Sequence, residues 1–187
     1  REPKHFDFMR AKILPGHSKT AGFRVWSGAA SSGQEAYSIA MLLGELLGDA
    51  PWEIVGTDIS TRVLERARAG HYALEQTQHI PKEYLSRFCL KGVGAQEGTF
   101  LVERGLRSRI QFLHANLNQT LPQIGEFNLI FLRNVMIYFN METKREVVSR
   151  VASLLKRGGH LFIGHSESLN GIHESLEPVA PSIYRQP

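Results

Sequence analysis

Short apolar runs alternate with helix-spaced patterns along most of this 187-residue chain, and that alternation constrains the fold more than any other feature. Phe23-Arg24-Val25-Trp26 reads as a strand running into the small-residue stretch Ser27-Gly28-Ala29-Ala30-Ser31-Ser32-Gly33. Ala36, Ile39, Ala40, Leu43, Leu46 and Leu47 then recur on one helix face, with Gly48 placed to end it. Residues 52–56 form a second expected strand, closed by Thr57-Asp58. Ser60 suits the N-cap of a helix carrying Val63, Leu64 and Ala67, which Gly70 stops. Residues 110–113, 127–132 and 160–164 read as further strands. The last two flank a helix with Val147, Val148, Val151, Leu154 and Leu155 on one face, ended by Gly158-Gly159. Strand and helix in this order predict an α/β fold, a parallel sheet covered on both faces.

Residues 71–109 break the rhythm. A short helix over 81–88 is followed by Gly92, Gly94 and Gly98 and by the alternating Thr99-Phe100-Leu101-Val102. A small β subdomain inserted at 71–109 is expected, with the main domain made of 1–70 and 110–187. The insertion is locally basic: Lys82, Arg87, Lys91, Arg104, Arg107 and Arg109 stand against Glu75, Glu83, Glu97 and Glu103. Over the whole chain 22 Lys+Arg against 18 Asp+Glu give +4, a mild excess that favours an acidic partner without naming it. The longest apolar runs, 39–43 and 129–132, are far short of a membrane span, so no membrane insertion is expected. With 42% hydrophobic and 21% charged residues, a disordered chain and a collagen-like repeat are excluded. The lone Cys89 cannot form an internal disulfide, which predicts a reducing, cytoplasmic setting. A start at Arg1, with neither Met nor signal peptide, reads as a piece of a longer protein.

In open parallel sheets ligands bind beyond the carboxyl ends of the strands, where the strand order reverses. The 27–33 loop occupies such a place, and small residues there let backbone approach a ligand closely. Asp58, at the end of the second strand, could accept hydrogen bonds from both hydroxyls of a ribose. The alternative is a tight turn with a helix-capping Asp. The dinucleotide fingerprint G-x-G-x-x-G is missing, since only Gly28 and Gly33 follow the first strand. A nucleoside without a pyrophosphate fits better, and the pattern leans towards a sulfonium methyl donor over NAD.

Longer blocks carry a more specific signal. Val25 to Ile39, Thr57-Asp58-Ile59-Ser60, Ala115-Asn116-Leu117, Arg133-Asn134-Val135-Met136-Ile137-Tyr138-Phe139 and Gly164-His165-Ser166-Glu167-Ser168 resemble, in order and spacing, the chemotaxis-receptor glutamate methyltransferases of the CheR family. Arg1-Glu2-Pro3-Lys4-His5-Phe6 is similar to the family's entry into its catalytic domain. The resemblance implies a class I S-adenosylmethionine methyltransferase, a Rossmann-like doubly wound sheet with a small inserted β subdomain. It covers the catalytic domain without the N-terminal helical domain, and it puts further cofactor contacts upstream of Arg1. It implies cofactor contacts from Arg1, Glu35, Asp58, Asn116, Leu117, Arg133 and Asn134, and catalytic roles for Arg1 and Tyr138, with S-adenosylhomocysteine as product. No metal is implied. Partners would be the cytoplasmic domains of methyl-accepting chemoreceptors, not nucleic acid. Gly92, Gly94 and Gly98 resemble a loop of family members whose β subdomain docks a receptor's C-terminal peptide tail, by strand addition. Leu101 stands where such members carry an Arg.

Local alternatives accompany several of these residues. Glu35 could be a first-turn acid favoured by the helix dipole, Arg133 a surface cation, and Tyr138 a core ring. For the chemistry, a glutamate side chain with a pKa of about 4.3 is already ionised at neutral pH, so in-line attack on a sulfonium methyl needs no general base. Positioning and desolvation remain as the catalytic tasks. A methyltransferase-like domain that binds cofactor or a signalling partner without transferring methyl is the competing reading. Methylation of bases is disfavoured, because the loop at 133–136 lacks the Asn-Pro-Pro-Tyr type and the basic segment lacks interleaved aromatics.

Overall fold

A strand buried on both faces reads as a continuous apolar run, and the runs of this chain form such strands. The computed structural model describes residues 2–187. In chain order the elements are α1 (Pro3–Phe8), β1 (Phe23–Ser27), α2 (Gln34–Leu46), β2 (Trp52–Asp58), α3 (Thr61–Ala69), β3 (His71–Ala73), α4 (Lys82–Phe88) and β4 (Cys89–Lys91). They continue with β5 (Thr99–Val102), α5 (Arg104–Arg107), β6 (Ile110–His114), β7 (Phe127–Leu132), α6 (Met141–Ala152), β8 (Leu155–Ile163), β9 (Glu177–Ala180) and β10 (Ile183–Arg185).

The main sheet has the order β6-β2-β1-β7-β8-β10-β9. Neighbours from β6 to β8 pair in parallel, and β10 pairs antiparallel with both β8 and β9. Alternate side chains feed two cores. Val25, Ile54, Phe131 and Phe162 pack with α2, α3 and the inserted segment. Trp26, Val55, Ile130 and Ile163 pack with Val147, Val148 and Val151 of α6. Each such aliphatic side chain contributes about 1.5–3 kcal/mol by leaving water.

Several local signals act as read. The Ser60 hydroxyl caps α3 by accepting from the Val63 amide (3.5 Å), and Gly70 stops that helix at φ 59°. The expected end of the last helix is corrected. α6 stops at Ala152, and Leu155 opens β8 opposite Phe127 instead of continuing the helix. Gly158-Gly159 therefore serves a bulge within β8, where a Cβ on Gly159 would lie 2.8 Å from the Lys156 carbonyl. The β9–β10 hairpin lacked a strand signal, since Pro178 and exposed flanking residues hide its period.

The inserted segment forms a three-stranded antiparallel sheet, β3-β5-β4. It does not build a separate core: Tyr72, Phe88, Phe100, Val102 and Leu106 pack into the α2 side of the main one. The Tyr72 hydroxyl donates to the Ser32 carbonyl (2.6 Å), so the insertion props the loop after β1.

Candidate functional site

Parallel register brings the carboxyl ends of β6, β2, β1 and β7 to one edge of the sheet. Ser27 lies opposite both Gly56 and Phe131, and Asp58 opposite His114. The strand order reverses between β1 and β7, and the 27–33 loop leaves the sheet there. The Gly28 amide donates to the Phe131 carbonyl (2.8 Å), and the Ala30 amide to that of Thr57 (2.8 Å). A Cβ on Gly28 would meet Leu132 at 3.1 Å, which explains the glycine at this close approach. Beneath the loop, buried Trp26 Nε1 donates to Thr57 Oγ1 (2.9 Å), whose hydroxyl donates to the Gly28 carbonyl (3.1 Å).

Asp58 is half-buried at the strand end. Its Oδ2 accepts from the Ser31 amide (2.9 Å) and its Oδ1 from the Ser60 amide (3.0 Å). Each oxygen keeps a second lone pair, the set a vicinal diol requires. The next side chain, Ile59, is apolar and 62% exposed. Asn116 turns the chain after β6, its Oδ1 accepting from the Asn118 amide (3.0 Å). The Leu117 side chain is buried in the α6-side core, so only its backbone is available at the strand end.

On the β7 side the residues meet over long chain distances. Glu35, in the first turn of α2, accepts from Ser27 Oγ (2.7 Å) and from Arg133 Nε (2.8 Å). The Arg133 side chain is 8% exposed, which rules out a surface cation. Its Nη1 lies 3.4 Å from Nδ1 of buried His5, and Glu2 lies 3.2 Å from that imidazole. Glu167 accepts three backbone amides: Gly164 (2.7 Å), Met136 (3.1 Å) and Asn134 (3.2 Å). It thereby pins the 133–138 loop to the end of β8. Tyr138 is 78% exposed on the short 3₁₀ turn Met136–Tyr138, so it is not a core ring.

Among the described residues, the non-glycine residues with left-handed backbone are Ser31 (φ 51°), Asn134 (φ 58°) and Ser182 (φ 58°). All three join this network: the Ser31 amide holds Asp58, the Asn134 amide reaches Glu167, and Ser182 Oγ lies 2.9 Å from His5 Nε2. Backbone strain of about 1–2 kcal/mol per residue is thus concentrated at one edge of the sheet.

The structure brings Glu35 and Arg133 into direct contact and sets Asp58, Asn116 and Asn134 at the carboxyl ends of β2, β6 and β7. Arg1 lies outside the described residues. Gly92, Gly94 and Gly98 are remote, on the inserted sheet. Glu2, His5, Glu167 and Ser182 were not singled out as site residues. The 164–168 block contained the signal for Glu167, an acid just past a buried strand.

A family model described as CheR methyltransferase, SAM binding domain, matches residues 1–184. The chain belongs to this family. Its curated relatives include the chemotaxis protein methyltransferase of Escherichia coli K12, 39% identical over 191 residues, 98% of this chain and 64% of the relative. That of Borreliella burgdorferi is 38% identical over 197 residues, 100% of this chain and 68% of the relative. The chain thus spans about two thirds of the length of these CheR relatives. Solved structures share the fold at low identity. TrmN from Thermus thermophilus has a TM-score of 0.53 at 18% identity, over 91% of this chain and 41% of that one. An O-methyltransferase family protein from Burkholderia thailandensis has a TM-score of 0.52 at 18% identity, over 86% and 36%. The fold is that of a class I methyltransferase.

S-adenosylmethionine is the cofactor of this CheR domain, and the strand-end chemistry fits it. Asp58 has acceptor capacity for two ribose hydroxyls, Ile59 offers an apolar surface, and the 27–33 loop has little side-chain bulk. Among the described residues no helix is long and apolar enough to cross a membrane.

Proposed function

We propose that this domain catalyses methyl transfer from S-adenosylmethionine to glutamate side-chain carboxylates in the cytoplasmic domains of bacterial chemoreceptors. The products are glutamate methyl esters and S-adenosylhomocysteine, and the setting is the cytoplasm. The observation that carries this reading is the CheR family match over residues 1–184, with the blocks that resemble the family lying along the carboxyl ends of β1, β2, β6, β7 and β8.

In this reading Asp58 would bind the ribose, Asn116 and the Leu117 backbone would frame the adenine, and Glu35, Arg133 and Asn134 would hold the methionine part; the resemblance adds a contact from Arg1, which lies outside the described residues. When bound, the cofactor supplies an electrophilic methyl on a sulfonium. The acceptor carboxylate arrives ionised, so the chain has to aim it and strip its water rather than remove a proton. The Tyr138 hydroxyl, exposed on its turn, would donate to one oxygen of the acceptor carboxylate and so orient the other toward the methyl group that a bound cofactor would supply. Incubation with methyl-labelled cofactor and a chemoreceptor cytoplasmic fragment tests the reading. Base-labile label should appear on receptor glutamates. Cofactor binding without any receptor label would favour the non-catalytic alternative.

The inserted sheet is the proposed tether for a receptor tail. Its outer face forms a groove of about 430 Å³ lined by Leu90, Lys91, Val93, Gln96 and Leu101, with Leu90 58% and Val93 78% exposed. Gly94 (φ 58°) and Gly98 (φ 82°) are demanded by the turn's left-handed backbone, and no atom lies within 4 Å of a Cβ placed on either, which leaves room for an approaching strand. Three of the basic residues are occupied: Arg87, Arg107 and Arg109 donate to the carbonyls of Gly44, Val102 and Ala50. Apolar contact and backbone pairing therefore support the tether more than charge does.

A further inference from the structure

His5 is 1% exposed, sits on the short helix α1, and has polar neighbours on both ring nitrogens. Ser182 Oγ donates its own proton to the Pro181 carbonyl (2.7 Å), so toward His5 Nε2 at 2.9 Å it can only accept. Nε2 must therefore carry a proton, which it can also direct at Glu2 (3.2 Å). On the other side the guanidinium of Arg133 has donors only, so Nδ1 at 3.4 Å has to accept. The two ends select the same state, a neutral imidazole with its proton on Nε2. Phe131 and Phe162 pack against the ring, their centroids 6.4 and 5.1 Å away, and remove rotational freedom. Burial pushes the imidazole down to about 4, with Glu2 opposing and Arg133 and His165 reinforcing, in agreement with the hydrogen-bond pattern.

Arg133 spends Nε on Glu35 and Nη1 on His5. Glu35 in turn receives Ser27 Oγ at the root of the cofactor loop. A chain of polar contacts thus runs Ser182–His5–Arg133–Glu35–Ser27. We propose that His5, as a neutral Nε2–H imidazole, is a positioning residue that fixes Arg133 and, through it, the Glu35 carboxylate at the cofactor loop. The inference rests on the functional reading above for its consequence in cofactor binding, but not for the contacts themselves.

Two variants separate a hydrogen-bonding role from a space-filling one. His5→Phe keeps an aromatic ring against Phe131 and Phe162 and loses both polar contacts. His5→Asn restores an acceptor near the Nδ1 position. Removing a buried acceptor from a charged donor should weaken S-adenosylhomocysteine binding about tenfold in His5→Phe, with His5→Asn recovering most of the loss. Combining His5→Phe with Glu35→Gln closes a double-mutant cycle. If His5 acts through Arg133 on Glu35, the His5→Phe penalty largely disappears in the Glu35→Gln background. Fully additive penalties would overturn the proposal.

The same cycle is read in denaturant midpoints. A parent chain with no affinity for S-adenosylhomocysteine would therefore sink the functional reading while the His5–Glu35 coupling is still decided by unfolding. Long-range proton–nitrogen NMR of the unmodified chain gives an independent answer. It should show His5 neutral and protonated on Nε2 at pH 7. A cationic ring or the Nδ1–H tautomer would overturn the proposal whatever the variants do.

Discussion

On the β2–β6 side of the crevice, Asp58 and Asn116 accept amides mostly from their own turns: Ser60 and Asn118 are each two residues away, and Ser31 comes from the facing loop. On the β7–β8 side, Glu35 and Arg133 are 98 residues apart, His5 and Arg133 128, and His5 and Ser182 177. The first side is built by local turn chemistry and the second by charged or polar side chains reaching across the fold. Damage to the first should therefore stay local and appear as lost ligand affinity. Damage to the second should spread into stability, because each contact there joins distant segments.

The largest expected effect tests the first half of that contrast. Asp58→Ala removes the diol acceptors together with the tie to the Ser31 amide. Calorimetric titration should show S-adenosylhomocysteine bound about 100-fold more weakly, equivalent to roughly two charged hydrogen bonds. An unchanged affinity would take Asp58 out of the site.

Glu167→Ala tests the second half. Three backbone amides lose their acceptor, and a cost of about 2–3 kcal/mol should lower the thermal midpoint by about 4–12 °C. Glu167→Gln, which keeps carbonyl acceptance, should lose less. A midpoint fall no greater than that of Asp58→Ala would break the contrast.

Tyr138→Phe should leave both stability and S-adenosylhomocysteine affinity within about twofold of the parent while receptor methylation slows about tenfold, the pattern of an interaction made in the transition state. Binding and rate falling together would move Tyr138 to the cofactor side.

The smallest effect is a slope. Burial, opposed by Glu2, holds His5 down to about 4 from its ordinary 6.5. Between those values the unfolded chain takes up the proton first, so stability is full above about pH 6.5 and drains as the pH falls toward 4. Glu2 is also held low: desolvation works against this, but the His165 amide, His5 and Arg133 prevail, and its contribution fades at lower pH still. Denaturant midpoints measured from pH 7 to pH 4 should decline less steeply in His5→Phe than in the parent. Burial, aided by Arg185, lowers His160 too, which leaves a residual slope of the same sign. Equal slopes would mean that His5 is not buried neutral.

The same contrast marks what was legible in the sequence. The small-residue loop, Asp58, the Ser60 cap and the Gly70 stop are local patterns, each complete within a few residues. The resemblance brought Glu35 and Arg133 into one pocket, but no spacing rule pairs them. His5 lies in Pro3-Lys4-His5-Phe6 with nothing to separate it from the chain's other histidines, and Ser182 carries its strain unannounced. The end of α6 was misplaced because Leu154 and Leu155 continue the helix's apolar pattern; pairing of Leu155 with Phe127 overrides that period.

The hydrogen bond between His5 and Ser182 also sets an order of assembly during synthesis. Strands β1, β2 and β6, and with them the Asp58–Asn116 side, are complete once residue 117 has emerged from the ribosome. The other side waits for Ser182. At about 5–20 residues per second, the intervening 182 − 117 = 65 residues take roughly 3–13 s. For that interval the residues that make up the Asp58–Asn116 side are all outside the ribosome, and so is His5, without its last partner.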